Sequence, residues 1–348
     1  MIETLRNKMG EWLSGGPEED VVISSRIRLA RNVSEYPFIS RASGREVARI
    51  EEVLHNKIMK ADFGESVQYY RLDRLDPVYR ELLVERHLIG LNHAEADWVR
   101  GVAFNEDERM SLLVNEEDHL RMQAIRGGLR LREACKRVFD VEAILAEMVP
   151  FAFSARYGYL TACPTNVGTG MRASVMLHLP ALVMSREMDK VLQLSQEDGL
   201  IVRGLYGEGT QASADLYQIS NQLSLGVTEE EVLQAVSVAT EQVVELERES
   251  REDLAKRYQK RLSERIDRAY RLLKSASMIS SEEALNLLSQ VRMGIELGLV
   301  KQIDDETVRE LVLLTLPAHL QTMVQGKETD RLERNELRAS YLRERLIN

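Results

Sequence analysis

Short β-branched and apolar runs set the pattern of the first two thirds of the chain. Val21-Val22-Ile23-Ser24 and Ser111-Leu112-Leu113-Val114-Asn115 predict strands. Gly158 to Cys163, Ser174 to Leu179 and Gly199 to Arg203 predict three more. Between them, Arg45 to Lys60 and Leu120 to Phe139 carry apolar residues at three- and four-residue spacing, which predicts helices. The strands are irregularly spaced, without a repeated strand–helix–strand rhythm, and this favours an α+β fold over a doubly wound parallel sheet. After about residue 228 the texture changes. Thr228-Glu229-Glu230-Glu231 is a helix start, with a capping hydroxyl and acids in the first turn. Leu254, Tyr258, Leu262, Ile266 and Tyr270 then recur every fourth residue as one apolar face. Ser280-Ser281-Glu282-Glu283 and Asp304-Asp305-Glu306 open further helices. The pattern divides the chain into an N-terminal segment (1–20), a mixed domain (21–228) and an all-helical C-terminal domain (229–348). The charged face of the long helix reads as solvated surface, with a homodimer or higher homo-oligomer as the other expectation.

Composition narrows the function classes. The 348 residues suit two domains, and 44% hydrophobic with 29% charged residues excludes a disordered chain. A net charge of 46 − 56 = −10 argues against direct nucleic-acid binding. No eighteen apolar residues run together, and Met1 to Gly16 lacks the pattern of a signal peptide, so no membrane span is expected. Cys135 and Cys163 form no Cys-x-x-Cys, and the six histidines are scattered. A cytoplasmic location and no protein metal cage are expected. Arginine outnumbers lysine among the 46 basic residues, 36 to 10.

Candidate chemistry gathers in four clusters. In Ser24-Ser25-Arg26-Ile27-Arg28, the alternation lets both guanidinium groups leave one face of a strand and meet a polyanion; alone, the segment reads as a charged edge strand. Asn115-Glu116-Glu117-Asp118-His119-Leu120-Arg121 places three acids at an expected strand-to-helix junction, where acids more often decorate a helix start. In Cys163 to Ser174, Gly168 and Gly170 allow a tight loop whose amides could face an anion, with Arg172 just beyond. Arg203-Gly204-Leu205-Tyr206-Gly207-Glu208-Gly209 is a glycine-punctuated loop with one Arg and one Glu.

Together, and in this order, the clusters resemble the signatures of the phosphagen (guanidino) kinases, the family of arginine kinase and creatine kinase, over about residues 20–225. The resemblance implies an antiparallel sheet flanked by helices. It implies that Arg26, Arg28, Arg121, Arg172 and Arg203 clamp the ATP phosphates. Ser24, Ser25, Ile27, Ala173, Ser174, Val175, Met176, Gly204, Leu205, Tyr206, Gly207 and Glu208 would line the nucleotide site, and His87 would lie near the adenine. Glu117 and Glu208 would hold the acceptor guanidinium, and Glu117 more than Glu208 would take its proton. That proton must go somewhere, because a guanidinium with a pKa above ~12 is a poor nucleophile. Cys163 would sit beside the acceptor as a thiolate. Mg²⁺ would be held through the nucleotide and water.

The departures from that family point to a branch of it. About twenty residues precede the Ser-Ser-Arg strand, where the free-guanidino enzymes carry a helical domain that closes over a small substrate. Met176 stands where they have a histidine, and Tyr206 where they have a basic residue. The pattern is similar to the bacterial protein arginine kinases along the whole chain. That resemblance implies phosphorylation of arginine side chains in proteins, marking them for the Clp protease under stress. The heat-shock repressor CtsR would be one substrate and McsA an activating partner. Arg334-Asn335-Glu336-Leu337-Arg338-Ala339 resembles the branch's phosphoarginine-binding motif, with Arg334 and Arg338 on one helical face and Asn335 in place of an acid. The alternatives are a free-guanidino kinase and a non-catalytic phosphoarginine-binding adaptor.

Overall fold

The computed structural model describes residues 2–95, 97–204, 213–324 and 329–347. Its centre is an eight-stranded sheet built from β1 (Val22–Arg31), β2 (Val67–Arg71), β3 (Gly101–Asn105), β4 (Met110–Val114), β5 (Leu120–Gly127), β8 (Met171–His178), β9 (Leu200–Gly204) and β10 (Leu216–Asn221). The order is β2-β3-β4-β5-β1-β8-β10-β9, and every neighbouring pair is antiparallel. A two-stranded hairpin, β6 (Phe153–Ser154) and β7 (Gly158–Tyr159), stands apart from it.

Alternation along β1 sorts the two faces of the sheet. Ile27 and Leu29 point one way, beside Ala124, Met122, Ala173 and Val175 of the adjoining strands, all in one buried cluster. Helices α1 (Gly44–Ile58), α4 (Leu131–Ala146) and the first part of α7 (Glu229–Ser275) cover that face through Leu54, Val138 and Val243. Arg26 and Arg28 point the other way. There the sheet is covered at its flanks. Leu82 and Leu83 of α2 (Pro77–Glu85) pack with Val102, Phe104 and Leu113. Trp12 and Leu13 pack with Met176, Leu216 and residues of α8 (Ser281–Glu296) and α9 (Asp305–Leu314). The central strip is left to the arginines.

The expected α+β class and the helical C-terminal region are observed. The described residues after 228 form α7, α8, α9, α10 (Pro317–Met323) and α11 (Arg331–Ile347). α7 starts on a complete capping box between Thr228 and Glu231. Its first half belongs to the sheet's core, and its second half packs with α8, α9 and α11 through Leu262, Ile266 and Leu273. Tyr258 departs from the expected stripe: it sits at a kink (φ −130°, ψ 28°) and is exposed. α8 grips the sheet. Ser289 donates to Asp215 Oδ2 (2.6 Å), just ahead of β10, and contacts His178 Nε2 at 2.8 Å. Asn286 accepts from the Ala214 amide at 2.9 Å.

Expectations in the mixed domain also fail. Leu120 to Phe139 is not one helix: Leu120–Gly127 is β5, and the helix begins at Leu131. Asn115 to His119 is therefore not a strand-to-helix junction but the turn of a β4–β5 hairpin, closed by Asn115 N to His119 O at 2.9 Å. Of Gly158 to Cys163, Gly158–Tyr159 is strand.

One buried ion pair fastens the centre. Arg31 is fully buried, and its Nε meets Glu142 of α4 at 2.5 Å. Its Nη1 donates to Ala30 O and Thr169 O, and the Tyr159 ring lies 3.4 Å from its Cζ. Glu142→Ala strands that charge and should lower the unfolding free energy by about 3–5 kcal/mol in urea titrations. A loss below about 1 kcal/mol would show that the other contacts suffice.

Candidate active site

Register brings the arginines of four separate strands onto one face. Arg28 lies opposite Arg172 on β8 and Gln123 on β5; Ala30 lies opposite Arg121; Arg26 lies opposite Ser174. Across β10, Gln218 lies opposite both Met176 and Arg203 of β9. Cross-strand partners share a face, so Arg26, Arg28, Arg121, Arg172 and Arg203 form one cationic strip. Burial first, and then Arg26, Arg121 and Arg172, press the Arg28 guanidinium well below its usual pKa. Burial, then Arg203, does the same more mildly to Arg172. The Nε atoms of Arg28 and Arg172 are buried without a hydrogen-bond partner. A multiply charged anion is the ligand this strip suits.

Neutral and acidic neighbours aim the guanidinium groups. Gln218 Oε1 accepts from Arg26 at 2.6 Å, and Ser220 Oγ from Arg172 at 3.1 Å. Glu116 Oε1 accepts from Arg121 at 2.7 Å. These positioning residues were missed in the sequence; the alternation of Tyr217 and Ile219 with Gln218 and Ser220 is the signal that marks β10 and its polar face.

At one end of the strip lies an acid beside a thiol. Glu116 Oε2 also accepts the Glu117 amide at 2.9 Å, leaving the Glu117 carboxylate outside that pairing. It is 47% exposed and 3.6 Å from Arg121. Burial raises the Glu117 pKa, Arg121 opposes this, Asp118 and Glu116 add to it, and a hydrogen bond with Cys163 lowers it. Cys163 Sγ lies 3.0 Å from Thr165 Oγ1. Fully buried Asp118 locks the two loops together, accepting from Asn32 Nδ2 (2.6 Å) and the Ala162 amide (2.7 Å). Gly168 and Gly170 serve close approach instead of an anion cradle. The Gly168 and Thr169 amides already bond Tyr159 O and Ser224 O. A Cβ on Gly168 (φ 115°) would lie 2.1 Å from Ser224 O, and one on Gly170 (φ 61°) 2.5 Å from Arg31.

At the other end stand Ser24, Met176 and His87. His87 lies edge-on to Trp12 (4.6 Å), and its carbonyl accepts from Gln123. Burial, then Arg26, pushes its pKa down to about 3, so the ring is neutral at ordinary pH. Ile27, Ala173 and Val175 turn their side chains into the core on the opposite face. Ser25 is also there, its Oγ donating to Gly128 O at 2.8 Å. Leu205, Tyr206, Gly207 and Glu208 lie outside the described residues. Arg334 and Arg338, far along the chain, line a separate cleft of about 330 Å³ with Ser281 and Asn335. Arg338 is anchored on Thr315 O, Ile279 O and Asn335 Oδ1. Among the described residues, no cluster of three His, Cys, Asp or Glu side chains could hold a metal ion, and no helix is long and apolar enough to cross a membrane.

Two family models match: ATP:guanido phosphotransferase, C-terminal catalytic domain, over residues 49–250, and Protein-arginine kinase McsB C-terminal domain, over residues 259–348. A protein-arginine kinase of Symbiobacterium thermophilum is 43% identical over 99% of this chain and 98% of its own. One of Halothermothrix orenii is 43% identical over 99% of both. Among solved structures, the duplicated taurocyamine kinase of Schistosoma mansoni aligns with a TM-score of 0.61 and 29% identity, over 69% of this chain and 36% of that one. A lombricine kinase aligns at 0.56 and 26%, over 70% of each.

Arg28→Met tests the cationic strip. Removing a repelled, part-buried charge should leave the ligand-free protein as stable or more so, by up to about 4 kcal/mol. Inorganic tripolyphosphate at a hundredfold excess over its Kd should stabilise the parent protein by about 2.7 kcal/mol and the variant far less. Thermal melts with and without the anion give both values, and an equal gain in the two proteins refutes the strip as the anion site.

Proposed function

The chain belongs to the ATP:guanido phosphotransferase family, in its protein-arginine kinase branch, and from that membership we propose that it transfers the γ-phosphoryl group of ATP to arginine side chains of proteins. The observation that carries this reading is the continuous strip of arginines ending at Glu117 and Cys163. The phosphates lie along Arg26, Arg28, Arg172 and Arg203, with the adenine toward His87 and Met176. Arg121 reaches the transferring group, where charge spreads over its equatorial oxygens. Mg²⁺ would come with the nucleotide, held by its phosphates and water since a face of guanidinium groups offers it no ligand, and would offset phosphate charge there.

The acceptor guanidinium approaches Glu117. One of its nitrogens forms the N–P bond as the bond from Pγ to the bridging oxygen breaks, releasing ADP. The displaced proton passes to the Glu117 carboxylate. Glu116, engaged with Arg121, fixes the clamp while Glu117 stays available. Cys163 donates a hydrogen bond to Glu117 and so favours the ionised carboxylate beside the acceptor cation. Glu208 is the second carboxylate on the acceptor by family resemblance.

The finer reading is of a cytoplasmic enzyme whose products are marked for the Clp protease in stress, with CtsR among its substrates and McsA as activator. The cleft at Arg334 and Arg338 would take phosphoarginine there. Arg331, Arg334 and Arg338 line the cleft with Glu282 as its one acid, and Asn335 orients Arg338 where the branch motif has an acid.

Incubation with ATP and an arginine-containing protein, followed by mass spectrometry that preserves the acid-labile N–P bond, should detect phosphoarginine. Glu117→Ala should abolish it, by at least a hundredfold in kcat, with an unchanged melting temperature. Consumption of free arginine with no modified protein would overturn the reading. A raised Glu117 pKa also makes a signed pH prediction. The acid limb of kcat/KM should lie above an ordinary glutamate's pKa, because the base works only when deprotonated. Cys163→Ala removes a hydrogen bond to the ionised form, so the limb should move to higher pH. A limb that stays in place or moves down excludes Glu117 as the titrating base.

A further inference from the structure

Helix α2 ends on a residue whose backbone conformation its own side chain disfavours. The closing bonds are those of a left-handed cap: His87 N to Val84 O (2.9 Å) and Leu88 N to Leu83 O (3.0 Å). His87 takes the left-handed position, with φ 58°, where glycine is usual because a Cβ is strained there. Such strain persists only where the surroundings impose it, and it points to a side chain that is needed in place. The His87 ring is set edge-on to Trp12, 4.6 Å away, and Trp12 shares a buried cluster with Met176. The His87 carbonyl accepts from Gln123 at 2.8 Å, and Gln123 is the strand partner of Arg28. The strained residue therefore adjoins the cationic strip.

The two residues before it supply the constraint. Arg86 is buried, with Nε 2.9 Å from Glu108 Oε2 and Nη2 2.5 Å from Oε1, in the β3–β4 turn. Nη2 also donates to Lys8 O (2.8 Å), and Nη1 to His319 Nε2 (3.1 Å). A guanidinium only donates, so Nε2 accepts and Nδ1 carries the proton of a neutral His319. Nδ1 donates to Glu85 Oε2 at 2.7 Å. The same carboxylate takes the Ala318 amide (2.7 Å) and the His319 amide (3.0 Å) at the start of α10. Glu85 and Arg86 thus tie the last turn of α2 to three other parts of the chain, directly ahead of His87. For stability alone, apolar packing would often serve as well as a buried ion pair. What the fork and the imidazole add is direction.

We propose that Arg86 and His319 are positioning residues of the nucleotide site: together they hold the end of α2 so that the His87 ring stands at the purine end of the arginine strip. The proposal rests on the ATP reading of that strip and adds a requirement on two residues that touch no nucleotide. His319 lies 233 positions from Arg86, in the C-terminal helices. Recognition of the base therefore draws on α10, whereas the phosphates are met by strands of the sheet. The two affinities are separable by mutation.

The test uses the full chain with Mg-ATP and with inorganic tripolyphosphate, which presents phosphates without a base, and titration calorimetry gives both Kd values. His319→Phe removes the acceptor for Arg86 and the donor to Glu85. It should weaken ATP binding about tenfold, the worth of one such hydrogen bond, and leave tripolyphosphate binding unchanged. His319→Gln offers an oxygen to Arg86 and an N–H to Glu85, and should return ATP binding to near the parent's value. His87→Gly removes the ring without straining the backbone, and should match the selective loss. Because His319 acts through His87, the double variant should bind ATP no worse than His87→Gly alone. Arg86→Lys keeps a charge against Glu108 but loses the fork; it should show the same selective loss, and decides the matter if His319→Phe does not fold. Unchanged ATP binding in these variants, equal losses for both ligands, or additive losses in the double variant overturn the proposal and leave the kinase reading intact. A parent protein that binds tripolyphosphate but not ATP sinks the ATP reading and this proposal with it.

Discussion

Like charges packed together on one sheet face are the constraint from which the rest of the site follows. Arg28 and Arg172 are repelled by the neighbouring arginines in a setting where burial already disfavours their charge. Such an arrangement persists only if the surrounding fold is stable enough to impose it. Here that stability comes from the other face, where Ile27, Leu29, Ala173 and Val175 pack beneath three helices. One side of each strand secures what the other side must tolerate. The return is preorganisation: when a polyphosphate arrives, the cations need no further assembly, and repulsion in the empty site becomes attraction in the filled one.

How much of this was legible in the sequence depended on whether the relevant signal was local. β1 was readable because Arg26 and Arg28 alternate with apolar residues, and α7 because its capping residues adjoin an amphipathic run. β5 was not. Leu120-Arg121-Met122-Gln123-Ala124-Ile125 satisfies both a two-residue and a helical period, and it leads into a real helix, so the strand was absorbed into it. The family resemblance supplied the arginines as a set, but only the strand register puts them on a single face. The different work of Glu116 and Glu117 was also invisible: Arg121 faces both, but it hydrogen-bonds Glu116 at 2.7 Å and stands 3.6 Å from the more exposed Glu117, which bonds Cys163. The side chains of Ile27, Ala173 and Val175, swept in with their signature blocks, face the core because a strand shows alternate residues to alternate sides.

The arginine excess has a second explanation besides the nucleotide site. Several arginines are buried cross-links between parts of the chain that lie far apart in sequence. Arg86 joins Glu108, Lys8 O and His319. Arg251 joins Glu247 and Asp20 O, and Arg292 joins Asp305 and Glu19 O. A guanidinium suits this work because its planar fork satisfies several acceptors in fixed directions, including backbone carbonyls, where a lysine would offer one compact charge. The N-terminal segment is thereby tied to both the sheet and the helices.

The contacts of α8 with the start of β10 have a consequence for when the enzyme becomes competent during its own synthesis. β10 carries Gln218 and Ser220, the residues that aim Arg26 and Arg172, yet its entry is held by partners 72 and 74 positions away along the chain. A nascent chain can contain every arginine of the site and still lack the residues that set this strand's start. The ribosome must release α8 before the sheet is anchored at that end. The order of translation therefore separates possession of the catalytic groups from their alignment, and the C-terminal helices come last.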